Sequence, residues 1–127
     1  MSIVGVGVDI ESISRFEESE NSDRLRARVF TEGEITYCLA QAKPARHFAA
    51  RFAAKEATVK ALHSVLPGLL ITQLELYKDV GSPAPLIRLI GTPILPDNIT
   101  LSVSLSHADT HAIAFVVAES SLALLVP

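Results

Sequence analysis

Glu56 and Lys60 stand four residues apart in the run Arg51-Phe-Ala-Ala-Lys-Glu-Ala-Thr-Val-Lys-Ala61. On a helix that spacing makes them neighbours, so a carboxylate and an ammonium face the same volume. Taken alone they form an exposed helix ion pair worth roughly a few tenths of a kcal/mol. A second carboxylate, Asp9, closes the stretch Gly5-Val-Gly-Val-Asp9. Strand alternation sets Gly5, Gly7 and Asp9 on one face and Val4, Val6 and Val8 on the other. Glycine weakens a strand, so two on one face point to another backbone passing close by. A solvated charge at a strand end is the simpler reading of Asp9. If the helix crosses this strand, Asp9 and Glu56 can share one hard cation, with water and a phosphate completing its shell. Magnesium is commonly held by one or two carboxylates plus substrate phosphates. Lys60 then supplies a second positive charge to the same phosphate, the arrangement that stabilises phosphoryl transfer. The glycines do not make a dinucleotide fingerprint, because a third glycine and a preceding strand are missing.

The helix that must position these groups begins at Pro44, which suits a first helical turn, and runs to Leu62 or His63. On a wheel of about 100° per residue, Phe48, Phe52, Val59 and Leu62 share an apolar face. Ala50, Ala54, Ala57 and Ala61 form a second stripe, small enough for a backbone to approach. Ala49, Ala53, Glu56 and Lys60 lie between, edged by Arg46 and His63. Arg51 points roughly 140° away from Glu56, too far to serve the same cation within one subunit. It either braces the fold or reaches a ligand across an interface. Lys55 falls in the apolar stripe, where its stem packs and its charge reaches outward.

A first strand ending near Asp9 and a short helix over residues 12–18 precede this segment, followed by a turn at residues 17–23 and a helical turn with Leu25 and Val29. Thr31-Glu-Gly-Glu34 reads as a capping box, which gives Glu34 a structural task. Ile35, Cys38, Leu39 and Ala42 follow on that helix. Strands are expected over residues 71–78, 85–90, 99–106 and 111–119, with Ile71, Gln73, Glu75 and Tyr77 on one side of the second. Helices first and hairpins last predict an α+β domain, a mainly antiparallel sheet packed on one long helix and shorter helices.

The 127 residues, 49% hydrophobic, make one domain with material for a core. A single cysteine excludes an internal disulfide and a Cys-based zinc site. A net charge of −3 gives no support to nucleic-acid binding. No apolar run spans a bilayer and the N-terminus lacks signal-peptide features, so a cytoplasmic protein is expected. The apolar tail from Ser121 to Pro127 is expected to pack on the domain or on a neighbouring subunit.

Gly5-Val-Gly-Val-Asp9 with Arg15 six residues on, Phe30-Thr-x-x-Glu34, Arg51-Phe-Ala-Ala-Lys-Glu-Ala-x-x-Lys-Ala61 and Ser104-x-Ser-His107 occur in that order. Together they resemble the motifs of the holo-acyl-carrier-protein synthase family, the Arg51–Ala61 helix most closely. The resemblance implies a 4′-phosphopantetheinyl transferase-like fold and transfer of the phosphopantetheine arm of coenzyme A to a serine of apo acyl carrier protein. Adenosine 3′,5′-bisphosphate is released, and magnesium is the expected cofactor. By motif position Asp9 and Glu56 are the metal ligands, and Glu56 and Lys60 the catalytic pair. Arg51, Lys60, Ser106 and His107 attend coenzyme A, and Arg15 docks the carrier protein. Arg24, Arg26 and Arg28 extend that basic landing surface on charge alone. Without the resemblance His47, His63, His107 and His111 read as solvated residues. It also implies a homotrimer with a site at each subunit interface. Ala50, His63 and Ser82 stand where the family usually has glycine, glycine and lysine. A related trimer that binds coenzyme A or a carrier without turnover, and a small oligomer whose charges are only structural, are the competing readings.

Overall fold

In the computed structural model, which describes residues 1–17 and 20–122, the long strand β1 (Ser2–Ser12) opens the chain. It runs past Asp9, so that carboxylate sits inside a strand and not at its frayed end. Ile13–Phe16 is a single 3-10 turn where a short helix is expected, and Glu18 and Ser19 lie outside the described residues. The helix α1 (Glu20–Val29) starts inside the expected turn. Next comes α2 (Glu32–Leu39), opened by the Thr31–Glu34 capping box, with both reciprocal hydrogen bonds present. The helix α3 (Pro44–Ala61) carries the candidate chemistry.

Beyond it, Ile71–Gln73 forms a 3-10 turn, leaving β2 (Leu74–Tyr77) shorter than the alternation predicts. Only Leu74 and Leu76 of this strand are buried, because the core lies on that face alone. Then follow β3 (Leu86–Leu89), β4 (Ile99–His107) and β5 (His111–Ser120). The strands form an antiparallel sheet of order β1-β5-β4 and a separate β2-β3 hairpin. The α+β expectation holds. Of the tail, residues 123–127 lie outside the described residues. No described helix is long and apolar enough to cross a membrane.

α3 packs on β1 and β5 by close approach. Ala53, Ala57 and Ala61 join Ala114, Val116 and Ala118 in one buried cluster. A Cβ on Gly5 would overlap the Ala61 carbonyl, and one on Gly7 the Ala57 carbonyl. The glycines therefore exist so that a helix backbone can lie on the strand, and the alanine stripe meets them. A second cluster sets Phe16, Phe30, Phe48 and Phe52 together, with ring centroids 5.0 to 6.1 Å apart.

The valine face of β1 behaves differently. Val6, Val8 and Ile10 are each half exposed or more, because the glycine face, not the valine face, meets the core. A register shift between Ile3 and Gly5 turns Val4 inward to join that core. Val6, Val8 and Ile10 pair with Val117, Phe115 and Ile113 of β5. These in turn pair with Ser102, Ser104 and Ser106 of β4. One face of the three-stranded sheet is thus an open patch, apolar on two strands and hydroxyl-lined on the third.

Candidate active site

The stride of α3 along β1, one helical turn per two strand residues, sets Ala61 on Gly5 and Ala57 on Gly7. Continued, it brings Asp9 level with the turn that begins at Ala53. Lys60 reaches across this seam. Its ammonium donates to the Val8 carbonyl at 2.9 Å and lies 3.4 Å from Asp9 Oδ1. The simple Glu56–Lys60 pair is not formed, because a strand carbonyl and a second carboxylate lie within the reach of Lys60. Glu56, half-buried one turn away, makes no side-chain hydrogen bond or ion pair among the described residues. Asp9 Oδ2 is buried with no hydrogen-bond partner. Two oxygen donors are therefore uncommitted beside one ammonium. That donor set fits a hard divalent cation, which takes carboxylate and phosphate oxygens. No group of three or more His, Cys, Asp or Glu side chains converges on one point among the described residues.

Sequence reasoning missed Glu11, two residues after Asp9 and so on the same strand face. Burial, then the neighbouring Asp9 carboxylate, raises its pKa above the ordinary carboxylate value. Its partner on the other side is Arg15, at 3.2 Å. The Arg15 guanidinium also stands 5.0 Å from the Phe52 ring centroid, at the edge of the same seam. Strand period alone would have pointed to Glu11.

Arg51, Ser106 and His107 are not at this seam. They line a cleft of about 180 Å³ with Tyr37, His47 and Lys78. Arg51 is only 4% exposed, its guanidinium 4.1 Å from the Tyr37 ring centroid. Lys78 Nζ stands 5.8 Å from the same ring. Burial, followed by the charges of Arg51 and Arg46, holds the His47 pKa below its usual value. Sequence reasoning treated His47 as a solvated residue and left Lys78 aside. Such a cleft suits a phosphate anion. A larger cavity of about 410 Å³ at the start of α3 mixes Arg26, Lys43 and Arg46 with Glu17 and Asp109 and lacks Arg51, Ser106 and His107.

Arg28 is exposed on α1, and Arg24 has interactions of its own. Arg26 turns inward, stacked 4.4 Å from the Phe48 ring centroid and donating to the Phe16 carbonyl at 2.8 Å. It belongs to the fold and not to a landing surface. His63 is exposed just beyond α3, Ala50 is buried beside Arg51, and Ser82 donates to the Ala84 carbonyl. Lys55 is the clearest correction. Its ammonium does not reach outward but is fully buried against Glu34, 2.6 Å away.

A two-sheet α+β domain thus carries two carboxylates, a lysine and a separate cationic cleft, the kinds of group that phosphoryl transfer uses. Residues 5–116 match the family model of the 4′-phosphopantetheinyl transferase superfamily, and the chain belongs to that family. The holo-[acyl-carrier-protein] synthase of Moorella thermoacetica is 41% identical over 91% of this chain and 93% of that relative. The one from Geobacter metallireducens is 43% identical over 92% of this chain and 98% of its own. Among solved structures, the holo-(acyl-carrier-protein) synthase of Bacillus anthracis in complex with coenzyme A (3′,5′-ADP) superposes with a TM-score of 0.74. It is 30% identical, over 95% of this chain and 100% of that one.

Proposed function

We infer that this chain transfers the 4′-phosphopantetheine group of coenzyme A to a serine of apo acyl carrier protein, releasing adenosine 3′,5′-bisphosphate. The observation that carries the reading is the seam between β1 and α3. There Lys60 meets Asp9 while Asp9 Oδ2 and Glu56 stay uncommitted. Asp9 and Glu56 would hold magnesium, which when bound neutralises pyrophosphate charge. The seryl Oγ–P bond forms as the P–O bond to the nucleotide breaks. The seryl proton leaves through water held at Glu56, and Lys60 keeps its ammonium beside the departing phosphate. Arg51, Ser106 and His107 grip the nucleotide end of coenzyme A, and Arg15, with Arg24 and Arg28 beyond it, receives the acidic carrier. These partners put the reaction in the cytoplasm.

The seam and the Arg51 cleft involve different sides of α3, and the sheet face of Val6, Val8, Ile10, Ile113 and Phe115 is open. Both observations support an assembly in which Arg51 of one subunit completes the seam of the next, and the family resemblance makes that assembly a homotrimer. Incubation with coenzyme A, magnesium and apo carrier, followed by mass spectrometry, tests the reading. The carrier should gain one phosphopantetheine arm. Lys60→Ala and Glu56→Ala should each lower the rate by about 100-fold or more. A folded protein that binds coenzyme A yet modifies no carrier would instead be a binding module.

A further inference from the structure

Lys55 has no part in the chemistry above, yet it is a charged side chain placed at the centre of the fold. Its ammonium donates to Glu34 Oε1 at 2.6 Å and to the Val29 carbonyl at 2.7 Å, and stands 5.2 Å from the Phe30 ring centroid. Glu34 in turn accepts from the Thr31 amide at 2.8 Å through Oε1 and from the Leu76 amide at 2.8 Å through Oε2. That last amide belongs to the edge of β2 not paired with β3. One buried pair thus ties the end of α1, the start of α2, the middle of α3 and the edge of β2.

α2, α3 and the chain just past β2 also supply walls of the Arg51 cleft, one structural repeat away. Glu34 and Tyr37 are one turn apart on α2, as Arg51 and Lys55 are on α3, and i,i+3 and i,i+4 residues share a helix face. Leu76 and Lys78 are two residues apart, one strand period. Tyr37, Arg51 and Lys78 are the three groups that meet over the Tyr37 ring. Sliding any one of these elements against the others would separate the two cations that the ring gathers.

We infer that Lys55 and Glu34 are positioning residues for nucleotide binding: their buried pair fixes the spacing of Arg51, Tyr37 and Lys78, and so sets affinity for the bisphosphate end of coenzyme A. The inference rests on the assignment of that cleft to the nucleotide. It separates the two lysines of the signature helix by role, Lys60 acting on the reacting phosphate and Lys55 on the shape of a distant cleft. The effect should fall on substrate binding and leave the chemical step alone.

The test uses Glu34→Gln/Lys55→Met, which removes both charges together and avoids leaving one buried and unpaired. A glutamine keeps one acceptor for the Thr31 cap and gives up the bond from the Leu76 amide, so the tie to β2 is released with the charges. Lys55→Met alone serves as the disruptive companion. Adenosine 3′,5′-bisphosphate binding is measured by titration calorimetry on the parent, the double variant and Arg51→Ala, alongside steady-state kinetics. The expected result is at least tenfold weaker nucleotide binding in the double variant. The KM for coenzyme A should rise by a matching factor, with kcat and the KM for carrier within twofold of the parent. A folded double variant with parental nucleotide affinity would overturn the inference and reduce the pair to a stability element. Parental affinity in Arg51→Ala would overturn the assignment of the cleft itself, and the inference with it.

Discussion

On the α2 and β2 side of α3, Lys55 is fully buried and donates to Glu34 and the Val29 carbonyl, and both Glu34 oxygens accept hydrogen bonds. On the β1 side, Lys60 is 55% exposed, its carboxylate partner lies 3.4 Å away, and that partner keeps one buried oxygen with nothing to bond. The two pairs hang from the same helix five residues apart. Desolvation decides their difference. A buried pair is tolerable only when its remaining donors and acceptors are met, and breaking one costs about 3–5 kcal/mol. An exposed pair contributes about 0.2–1 kcal/mol and can be given up to a ligand at little cost. Burial with both carboxylate oxygens bonded marks the pair that builds the molecule, and a carboxylate oxygen left without a partner the pair with capacity for a substrate.

The largest effect comes from separating the two sides of the helix between subunits. Assayed at coenzyme A well below the parental KM, Arg51→Ala and Lys60→Ala should each be nearly inactive alone. Mixed and reassembled in equal amounts, they should recover about a quarter of parental activity per site, because random trimers pair an intact seam with an intact cleft that often. Activity that stays absent after subunit exchange, verified by native mass spectrometry, would mean that seam and cleft serve one site within a single chain.

Gly7→Ala probes the β1 side next. Its methyl group would overlap the Ala57 carbonyl, and a backbone cannot rotate away. The helix must lift from the strand, at a cost of about 3 kcal/mol or more. A shift of about 1 Å at the reacting groups lowers turnover roughly 100-fold. Denaturant unfolding and turnover measured together should both fall; parental turnover would show that the seam tolerates displacement.

Much of this arrangement is legible in the sequence where local spacing controls it. Gly5, Gly7 and Asp9 share a face by strand period, and the alanine stripe that meets two of them follows from helix period. The Thr31–Glu34 box is a four-residue pattern and forms as read. What spacing does not carry is which face of β1 turns inward, since valines ordinarily mark the buried side and here lie open. The fate of Lys55 was equally hidden. Its partner is 21 residues away, and nothing in either segment states that the two helices bring a charge together in the core. Lys60 likewise looks paired with Glu56 until a strand over 50 residues earlier supplies a carbonyl and a carboxylate. Arg51 could be separated from Glu56 on the wheel, but not assigned to a cleft with His47 and Lys78, which come to it from α3 itself and from the chain just past β2.

The most direct test of the division between the two lysines is a pair of thermal melts, Lys55→Met and Lys60→Met against the parent at equal protein concentration. Lys60→Met should melt within about 2 °C of the parent, as loss of an exposed pair implies. Lys55→Met should melt roughly 10 °C lower, the size expected when a buried carboxylate is left unpaired in a domain of this length. Equal shifts in the two variants would contradict the account, because they would make both pairs structural and leave the seam without a group held in reserve for the substrate.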